Sequence, residues 1–332
     1  MVRAVLLLGL AASSGGCTKP AAKPAPEQER GAGEVAPAPK GGAVPPPGPD
    51  PHEAGGEPTS DTKPLSAWIE LLGHEDPATR KRAAVALGRM GAAAKPAIPA
   101  LIRAFSDEQN CAAAVDALGL IGPTAIPDLL EEMKKKEKPL RWRAAIALGR
   151  IGPAAKDAVP ALVAALKEDE ESMVRSAAAS SLGQLGATAK DVVPEVVKAL
   201  RDESSIVRFG AVAGLGGFAE AARSSPELLG VVVTEGVPAL TAALRDEDRG
   251  MRLQVVVALG LLGPAAKESL PALIEALRDE DRRVRLQASY ALGLFGSAAK
   301  DALSDLIRAA EQDADEGVRR SASEAVKGIR RR

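Results

Sequence analysis

Cysteine and histidine, which supply many metal ligands and nucleophiles in proteins, are scarce in this sequence. The 332 residues include two cysteines and two histidines, and His74–Glu75 is the one His-Glu pair after residue 63. A tetrahedral Cys/His site needs more ligands than this chain offers, since the other histidine, His52, lies in a Pro-rich stretch. The sequence also contains no glycine-rich phosphate loop and no nucleophile elbow. We therefore expect no metal site, no cofactor and no catalytic residue.

Cys17 follows a segment with the layout of an export signal, residues 1–16. Arg3 precedes an apolar run that is too short to span a bilayer as a helix, and small residues come next. The stretch Ser14-Gly15-Gly16-Cys17 resembles the lipobox of bacterial lipoproteins, although Ser14 replaces the usual leucine. This resemblance implies acylation of Cys17 and a lipid-anchored location in the bacterial envelope, on the periplasmic or surface side. An ordinary secretory signal with an incidental cysteine is the alternative.

Residues 17–63 are rich in Pro, Ala and Gly and contain no Leu, Ile or aromatic side chain. A stretch with so little to bury is expected to stay disordered. Because it follows the signal directly, we interpret it as a tether. Recognition by an aromatic-lined, Pro-binding module is the other possible use of such a segment.

The charge balance gives no reason to expect nucleic acid as a partner. The chain has 43 Lys and Arg against 44 Asp and Glu, whereas nucleic acid favours a strongly basic surface. Apolar residues make up 46% of the chain and aromatic residues 2%. Small side chains suit closely packed helices better than sheets.

A Leu-Gly pair recurs along the chain at intervals long enough for a pair of helices. Successive copies read LGRMGAAAKPAIPALIRAF, LGRIGPAAKDAVPALVAAL and LGLLGPAAKESLPALIEAL. The repeat leucines are Leu87, Leu118, Leu148, Leu182, Leu215, Leu259 and Leu292, and Val326 takes the eighth place. Such a period indicates a solenoid.

One repeat shows how the helices are delimited. Leu140, Ala144 and Leu148 share one helical face. Gly152 then predicts a helix C-terminus in the left-handed conformation, and Pro153 cannot continue that helix but can open the next. The interval between Leu215 and Leu259 is longer, and its extra residues near 219–236 are expected to form either a loop at a binding surface or a longer linker helix.

These helix pairs, with LGxhG at one helix end and D-x-x-h-R at the next helix start, resemble HEAT repeats of the bacterial phycobilin-lyase HEAT-like subtype. The resemblance covers residues 64–332. It implies an all-α, right-handed α-solenoid of about eight helix pairs. Deoxyhypusine hydroxylase, a HEAT-repeat di-iron enzyme, carries His-Glu pairs in several repeats, so the single pair within residues 64–332 argues against that chemistry.

Arginine is the most regular polar feature of the repeat. It stands seven residues before each repeat leucine or Val326, at Arg80, Arg141, Arg175, Arg208, Arg252, Arg285 and Arg319. An acid commonly stands four residues earlier, as at Asp76, Asp248, Asp281 and Asp315. These acids occupy N-cap or first-turn positions, and the family resemblance implies that Asp and Arg rows form a structural ladder. A phosphate-binding track is disfavoured because the acids neutralise the arginines.

A second apolar stripe is expected on the helices that carry the repeat leucine. Positions six before, two before and two after that leucine lie about one turn apart, away from the core stripe. Family arrays usually have polar residues there, on the concave face. Here the candidates for partner binding are Trp142, Ile146, Phe209, Leu253, Val257, Leu261, Leu286, Tyr290 and Leu294. The stripe serves either packing between repeats or docking of a partner.

The sequence thus predicts a membrane-tethered scaffold or adaptor that binds another protein, without catalysis. Two alternatives stay open. One is an enzyme subunit of chaperone type, similar to the bilin lyases, and the other is an envelope protein that assembles with itself.

Overall fold

The computed structural model describes residues 63–135 and 138–331, and every regular element in these ranges is helical. The export signal, Cys17 and nearly all of the tether lie outside the described residues. Each repeat has a first helix (A) and a second helix (B) that carries the repeat leucine. The A helices are α1 (Leu65–Leu71), α3 (Ile98–Arg103), α5 (Ile126–Met133), α7 (Val159–Glu168), α9 (Val193–Lys198), α12 (Val237–Ala243), α14 (Leu270–Glu275) and α16 (Leu303–Gln312).

The B helices form a continuous layer along the chain. They are α2 (Pro77–Arg89), α4 (Cys111–Ile121), α6 (Lys138–Ile151), α8 (Ser172–Gln184), α10 (Ser205–Ala222), α13 (Arg249–Leu262), α15 (Arg282–Phe295) and α17 (Glu316–Arg330). Each B helix packs against the B helices before and after it. Contacts of this kind, between neighbouring repeats only, define a solenoid. The predicted all-α solenoid of helix pairs is confirmed.

In six repeats the last glycine of the LGxhG motif ends the B helix, as expected. Gly152 has φ of +72°, and five further glycines in equivalent or similar positions also have positive φ. Residues that carry a side chain rarely adopt a positive φ, which explains why glycine stands at these positions. A short 3₁₀ segment, Gly152–Ala158, then leads into α7 with its proline at the first turn.

Aspartates begin several B helices. The carboxylate of Asp76 accepts hydrogen bonds from the backbone N–H groups of Ala78 and Thr79. Asp248 and Asp281 do the same for α13 and α15, and Asp315 accepts from Val318 N–H at the start of α17. The expected N-cap role of these acids is confirmed, because the first N–H groups of a helix have no partner within it.

The long interval between Leu215 and Leu259 is helical. Helix α10 is 18 residues long, α11 spans Pro226–Val231, and a π-helical turn at Val232–Gly236 leads into α12. Phe218, Leu228 and Val232 from this stretch are buried. Of the two expectations for the extra residues, the longer linker helix is the one observed.

Two helical stretches, Cys111–Met133 and Arg249–Arg278, are long and apolar enough to cross a membrane by length and composition alone. Half of the apolar window in each is buried inside the protein. Each stretch also contains a glycine with positive φ, Gly122 or Gly263, which ends one helix before the next begins. The helices of both stretches belong to the solenoid, and they contribute fully buried side chains such as Leu118, Leu129 and Leu259 to its core.

Candidate protein-binding face and the arginine ladder

Seven of the nine candidate residues form one continuous surface, here called the apolar row. It consists of Phe209 on α10, Leu253, Val257 and Leu261 on α13, and Leu286, Tyr290 and Leu294 on α15. All are partly exposed, and Leu286 is the most accessible at 38%. The side chains that pack α13 into the core, such as Val255 and Leu259, belong to another face and are fully buried.

Large side chains of the apolar row reach over glycines on the adjacent helix. Cζ of Phe209 lies 3.1 Å from where a β-carbon on Gly250 would stand, and Cδ1 of Leu294 lies 3.7 Å from the same point on Gly260. Cδ1 of Leu286 is 3.2 Å from the corresponding point on Gly317. Side chains of the row therefore reach from α10 to α13, from α15 back to α13, and from α15 to the start of α17.

The structure does not bring the other two candidates into this row. Trp142 and Ile146 lie on α6, and helix α8 separates them from α10. On α8 the equivalent positions are Ser176, Ser180 and Gln184. Trp142 stacks instead with the guanidinium of its neighbour Arg143, 4.6 Å from the ring centre.

The packing accounts for part of the stripe. Trp142, Ile146, Phe209, Leu253 and Leu261 each touch the hydrophobic core, so part of their surface serves packing between repeats. Their remaining surface, with that of Leu286, is open to solvent.

Sequence reasoning left two exposed apolar side chains at equivalent positions out of the candidates. Leu120 on α4 is 64% exposed, the most of any large apolar residue among the described ones. It stands two residues after Leu118, so the positional rule that selected Leu261 and Leu294 also selects it. Val85 on α2, 38% exposed, obeys the rule as well.

The regular arginines form a ladder that joins consecutive repeats. Arg175 on α8 donates from Nε and Nη2 to the carboxylate of Asp202, at 3.0 and 3.1 Å, and from Nη1 to the backbone carbonyls of Asp169 and Glu170. The other pairs are Arg80–Asp107, Arg141–Asp169, Arg208–Asp246, Arg252–Asp279 and Arg285–Asp313. Arg175 therefore bonds both to the loop that precedes its own helix and to the loop of the next repeat, and the other pairs join consecutive repeats in the same way.

The carboxylates of this ladder differ from the expected ones. Asp76, Asp248, Asp281 and Asp315 turn toward the N–H groups of their own helices. In most repeats the ladder carboxylate stands two residues earlier, in the loop that faces the preceding repeat, and it accepts the N–H two residues ahead, as Asp202 does from Ser204 at 2.8 Å. Asp281 and Asp315 also pair with exposed arginines of the preceding B helix, Asp281 with Arg249 at 3.5 Å and Asp315 with Arg282 at 2.9 Å.

Hydrogen bonding shifts the pKa of several groups in the ladder in the direction that favours the charged form. Arg285 donates a hydrogen bond to Asp313, and this bond lowers the pKa of the Asp313 carboxyl group. Burial alone would raise the pKa of Asp202, but the hydrogen bonds from Arg175 and Ser204 N–H outweigh it and the pKa is lowered. The bond to Asp279 raises the pKa of Arg252. With carboxylates and carbonyls occupying their donors, the paired arginines form a structural ladder rather than a phosphate track.

Two unusual residues are explained by their places in the ladder. His74 occupies the position of the ladder aspartate in the first repeat, and its Nδ1 accepts the N–H of Asp76 at 3.0 Å. Cys111 occupies the arginine position in the second repeat and is fully buried, while Lys135 stands at the aspartate position of the third. At the junction between the second and third repeats, both the arginine and the aspartate of the ladder are thus replaced by other residues. Within residues 63–135 and 138–331, no cluster of three His, Cys, Asp or Glu side chains could hold a metal.

Comparison with known protein families identifies the repeats. The family model described as HEAT repeats matches residues 106–183, 126–216, 159–236 and 237–327, which together cover more than half of the chain. A model described as PBS lyase HEAT-like repeat matches residues 79–107. No curated protein matches the sequence significantly.

Solved structures show the same fold. An engineered protein is 21% identical over 80% of this chain and 78% of its own, with a TM-score of 0.52. Kap121p is 16% identical over 80% of this chain and 33% of its own, with a TM-score of 0.63. The complex of CpcE and CpcF of phycocyanin lyase from Nostoc sp. PCC7120 is 26% identical over 49% of this chain and 98% of that chain, but its TM-score is only 0.42. The first two similarities establish only that the fold is shared, and the third is too low in TM-score to establish even that.

Proposed function

We propose that this chain, which belongs to the HEAT-repeat family, is a non-catalytic scaffold or adaptor that binds another protein through the apolar row. HEAT repeats themselves suggest a protein-binding scaffold. The observation that carries the finer proposal is the unbroken run of partly exposed apolar side chains from α10 to α15, next to α8, whose equivalent positions are polar.

The size of the row suits a moderate affinity. Complete burial of a large apolar side chain contributes about 1.5–3 kcal/mol. The members of the row are already partly covered, so each gains less than this when a partner binds. After the costs of association, seven such side chains are sufficient for binding in about the micromolar range.

The proposal is tested with three forms of the tagged full-length chain, used as bait in envelope extracts of the native host. Leu286→Ser with Tyr290→Ser changes the row, and Leu120→Ser changes an apolar side chain of the same face on a distant repeat. A partner retained by the wild type and by Leu120→Ser, but lost by the double variant, supports the proposal. Equal retention by all three forms contradicts it, provided that circular dichroism shows the same helix content in each.

The oligomeric state of the purified chain separates docking of another protein from self-assembly. If the partner captured through the row is a second copy of this chain, the purified wild type forms oligomers at micromolar concentration and the double variant is a monomer. A wild type that is monomeric at that concentration removes the self-assembling alternative.

We also propose that a lipid on Cys17 holds the scaffold to the envelope. The support comes from the sequence: the signal-like residues 1–16, the lipobox-like Ser14-Gly15-Gly16-Cys17 and the Pro-rich stretch that follows. The full chain produced in its host should partition into detergent, and its N-terminal peptide should carry an acyl mass. Cys17→Ser should abolish both. An unmodified Cys17 peptide from the wild type would overturn this part of the proposal without affecting the apolar row.

A further inference from the structure

A groove opens in the A-helix layer between α5 and α7, on elements that the apolar row does not use. Leu130 and Met133 of α5 form one wall, and Ala161 and Ala164 of α7 form the other. The groove has a volume of about 910 Å³. Its width has a simple origin, since alanines on α7 leave the space that larger side chains would fill.

Acidic side chains surround this apolar groove. Asp128, Asp157 and Glu168 line it and are exposed, and none of the three has an ion-pair partner in the part of the chain that the structure describes. Two further lining acids are already neutralised: Glu131 pairs with Lys134 at 2.6 Å, and Asp169 is the ladder partner of Arg141. Lys134 is the one cation among the lining residues. The groove therefore carries an excess of negative charge next to an apolar floor.

The corresponding groove between α12 and α14 differs in charge. Its lining contains Arg245 and Arg278 together with Glu275 and Asp279. Arg245 lies 3.8 Å from Glu275, and Arg278 pairs with Asp305 at 2.8 Å. Positive and negative side chains balance there. The acidic excess is therefore a property of the α5–α7 groove and not of every groove that the repeat produces.

We propose that the α5–α7 groove binds a short, positively charged apolar segment of a partner protein, with lysine or arginine side chains flanking alanine, valine or leucine. The apolar side chains of the segment rest on Leu130, Met133 and Ala164, and its cations meet Asp128, Asp157 and Glu168. Because the groove belongs to the A layer, this site stands independently of the apolar row. The molecule then has two docking surfaces of different chemistry.

The test titrates a fluorescent peptide against the full-length chain and follows its anisotropy. The peptide is a short amphipathic helix of leucine, alanine and lysine, and a second peptide has glutamate in place of lysine. The lysine peptide should bind, and its binding should weaken as salt is added. Asp128→Asn, Asp157→Asn and Glu168→Gln together should weaken it about tenfold, since exposed ion pairs contribute modestly and act together here.

Matched variants separate the groove from the overall charge. Asp191→Asn, Glu268→Gln and Asp301→Asn remove the same number of exposed acids at the repeat position of Asp157 in other repeats, and should change the affinity less than about twofold. Ala164→Gln fills the groove without changing its charge and should also weaken binding. Equal effects of the two triple variants, no effect of Ala164→Gln, or equal binding of the glutamate peptide would each overturn the proposal.

Discussion

The junction between α8 and α10 and the junction between α13 and α15 use the same repeat but pack in opposite ways. At the first, glycines bring the helix backbones into direct contact: a β-carbon on Gly183 would collide with the carbonyl oxygen of Gly214, and one on Gly217 would lie 2.7 Å from the carbonyl carbon of Gly183. At the second, side chains separate the helices, and a β-carbon on Gly260 would meet the Cβ of Ala291 at 3.1 Å.

This difference explains why the apolar row lies where it does. Helices in backbone contact leave little room for large side chains between them, and the exposed positions of α8 are serine and glutamine. Helices held further apart by side chains carry leucine, valine and tyrosine on the corresponding surface. One repeat pattern thus produces a tight, polar segment and a wider segment with an apolar surface.

The largest effect is expected from a single methyl group in the tight junction. Gly183→Ala places a β-carbon against the backbone of Gly214, which cannot move without separating α8 from α10, so the free energy of unfolding should fall by about 3 kcal/mol or more. In Gly260→Ala the tightest contact is with a side-chain methyl group, at 3.1 Å, and the substitution gains helix propensity, so it should change stability by less than about 1 kcal/mol. Urea unfolding followed by circular dichroism measures both. Equal losses would mean that the two junctions are equally tight.

The arginine ladder should matter more in the wider junction. Arg252 donates to Asp279 and also to Glu280, at 3.0 Å, whereas Arg175 pairs with Asp202 across a junction that backbone contact already holds. We expect Arg252→Ala to cost about 2–3 kcal/mol, because it leaves the mostly buried carboxylate of Asp279 without its partner. Arg175→Ala should cost about 1 kcal/mol less.

Arg319→Ala is the control for the ladder variants. Arg319 on α17 bonds only the carbonyls of Asp313 and Ala314 among the described residues, so its loss should cost less than about 1 kcal/mol. A cost as large as that of Arg252→Ala would show that the carbonyl contacts, and not the ion pairs, hold the repeats together.

The pH dependence tests how much of the tight junction depends on charge. The pKa of Asp202 is lowered in the folded protein, so its contribution to stability is present above the unfolded pKa of about 3.9 and is lost as pH falls through the folded value. Asp202→Asn should therefore cost about 1 kcal/mol at neutral pH and almost nothing in strong acid. Urea unfolding at both pH values measures this, and a constant difference would contradict the assignment.

Much of this fold could be predicted from the sequence because its signals are local and repeated. Gly152 and Pro153 fix the end of one helix and the start of the next, and Asp76, Asp248, Asp281 and Asp315 stand where N-caps belong. Such features depend on a few adjacent residues, and the repeat restates them along the chain.

The contacts between repeats were harder to predict. The ladder aspartates, such as Asp202 and Asp279, are visible in the sequence, but which acid an arginine reaches depends on how far one repeat is displaced over the next. The separation of Trp142 from Phe209 by a polar helix depends on the same stacking. The α5–α7 groove has no sequence signature at all, because it results from alanines on one helix that face larger residues on another.

Site-specific photocrosslinking at matched positions tests the central claim most directly. Position 290 on α15 and position 180 on α8 both stand two residues before the repeat leucine, one in the apolar row and one in the polar segment. A photoreactive phenylalanine analogue is introduced at each in the full-length chain, and cells are irradiated. The account predicts one prominent adduct from position 290 and none from position 180. Adducts of equal yield from both, or none from 290, would contradict it.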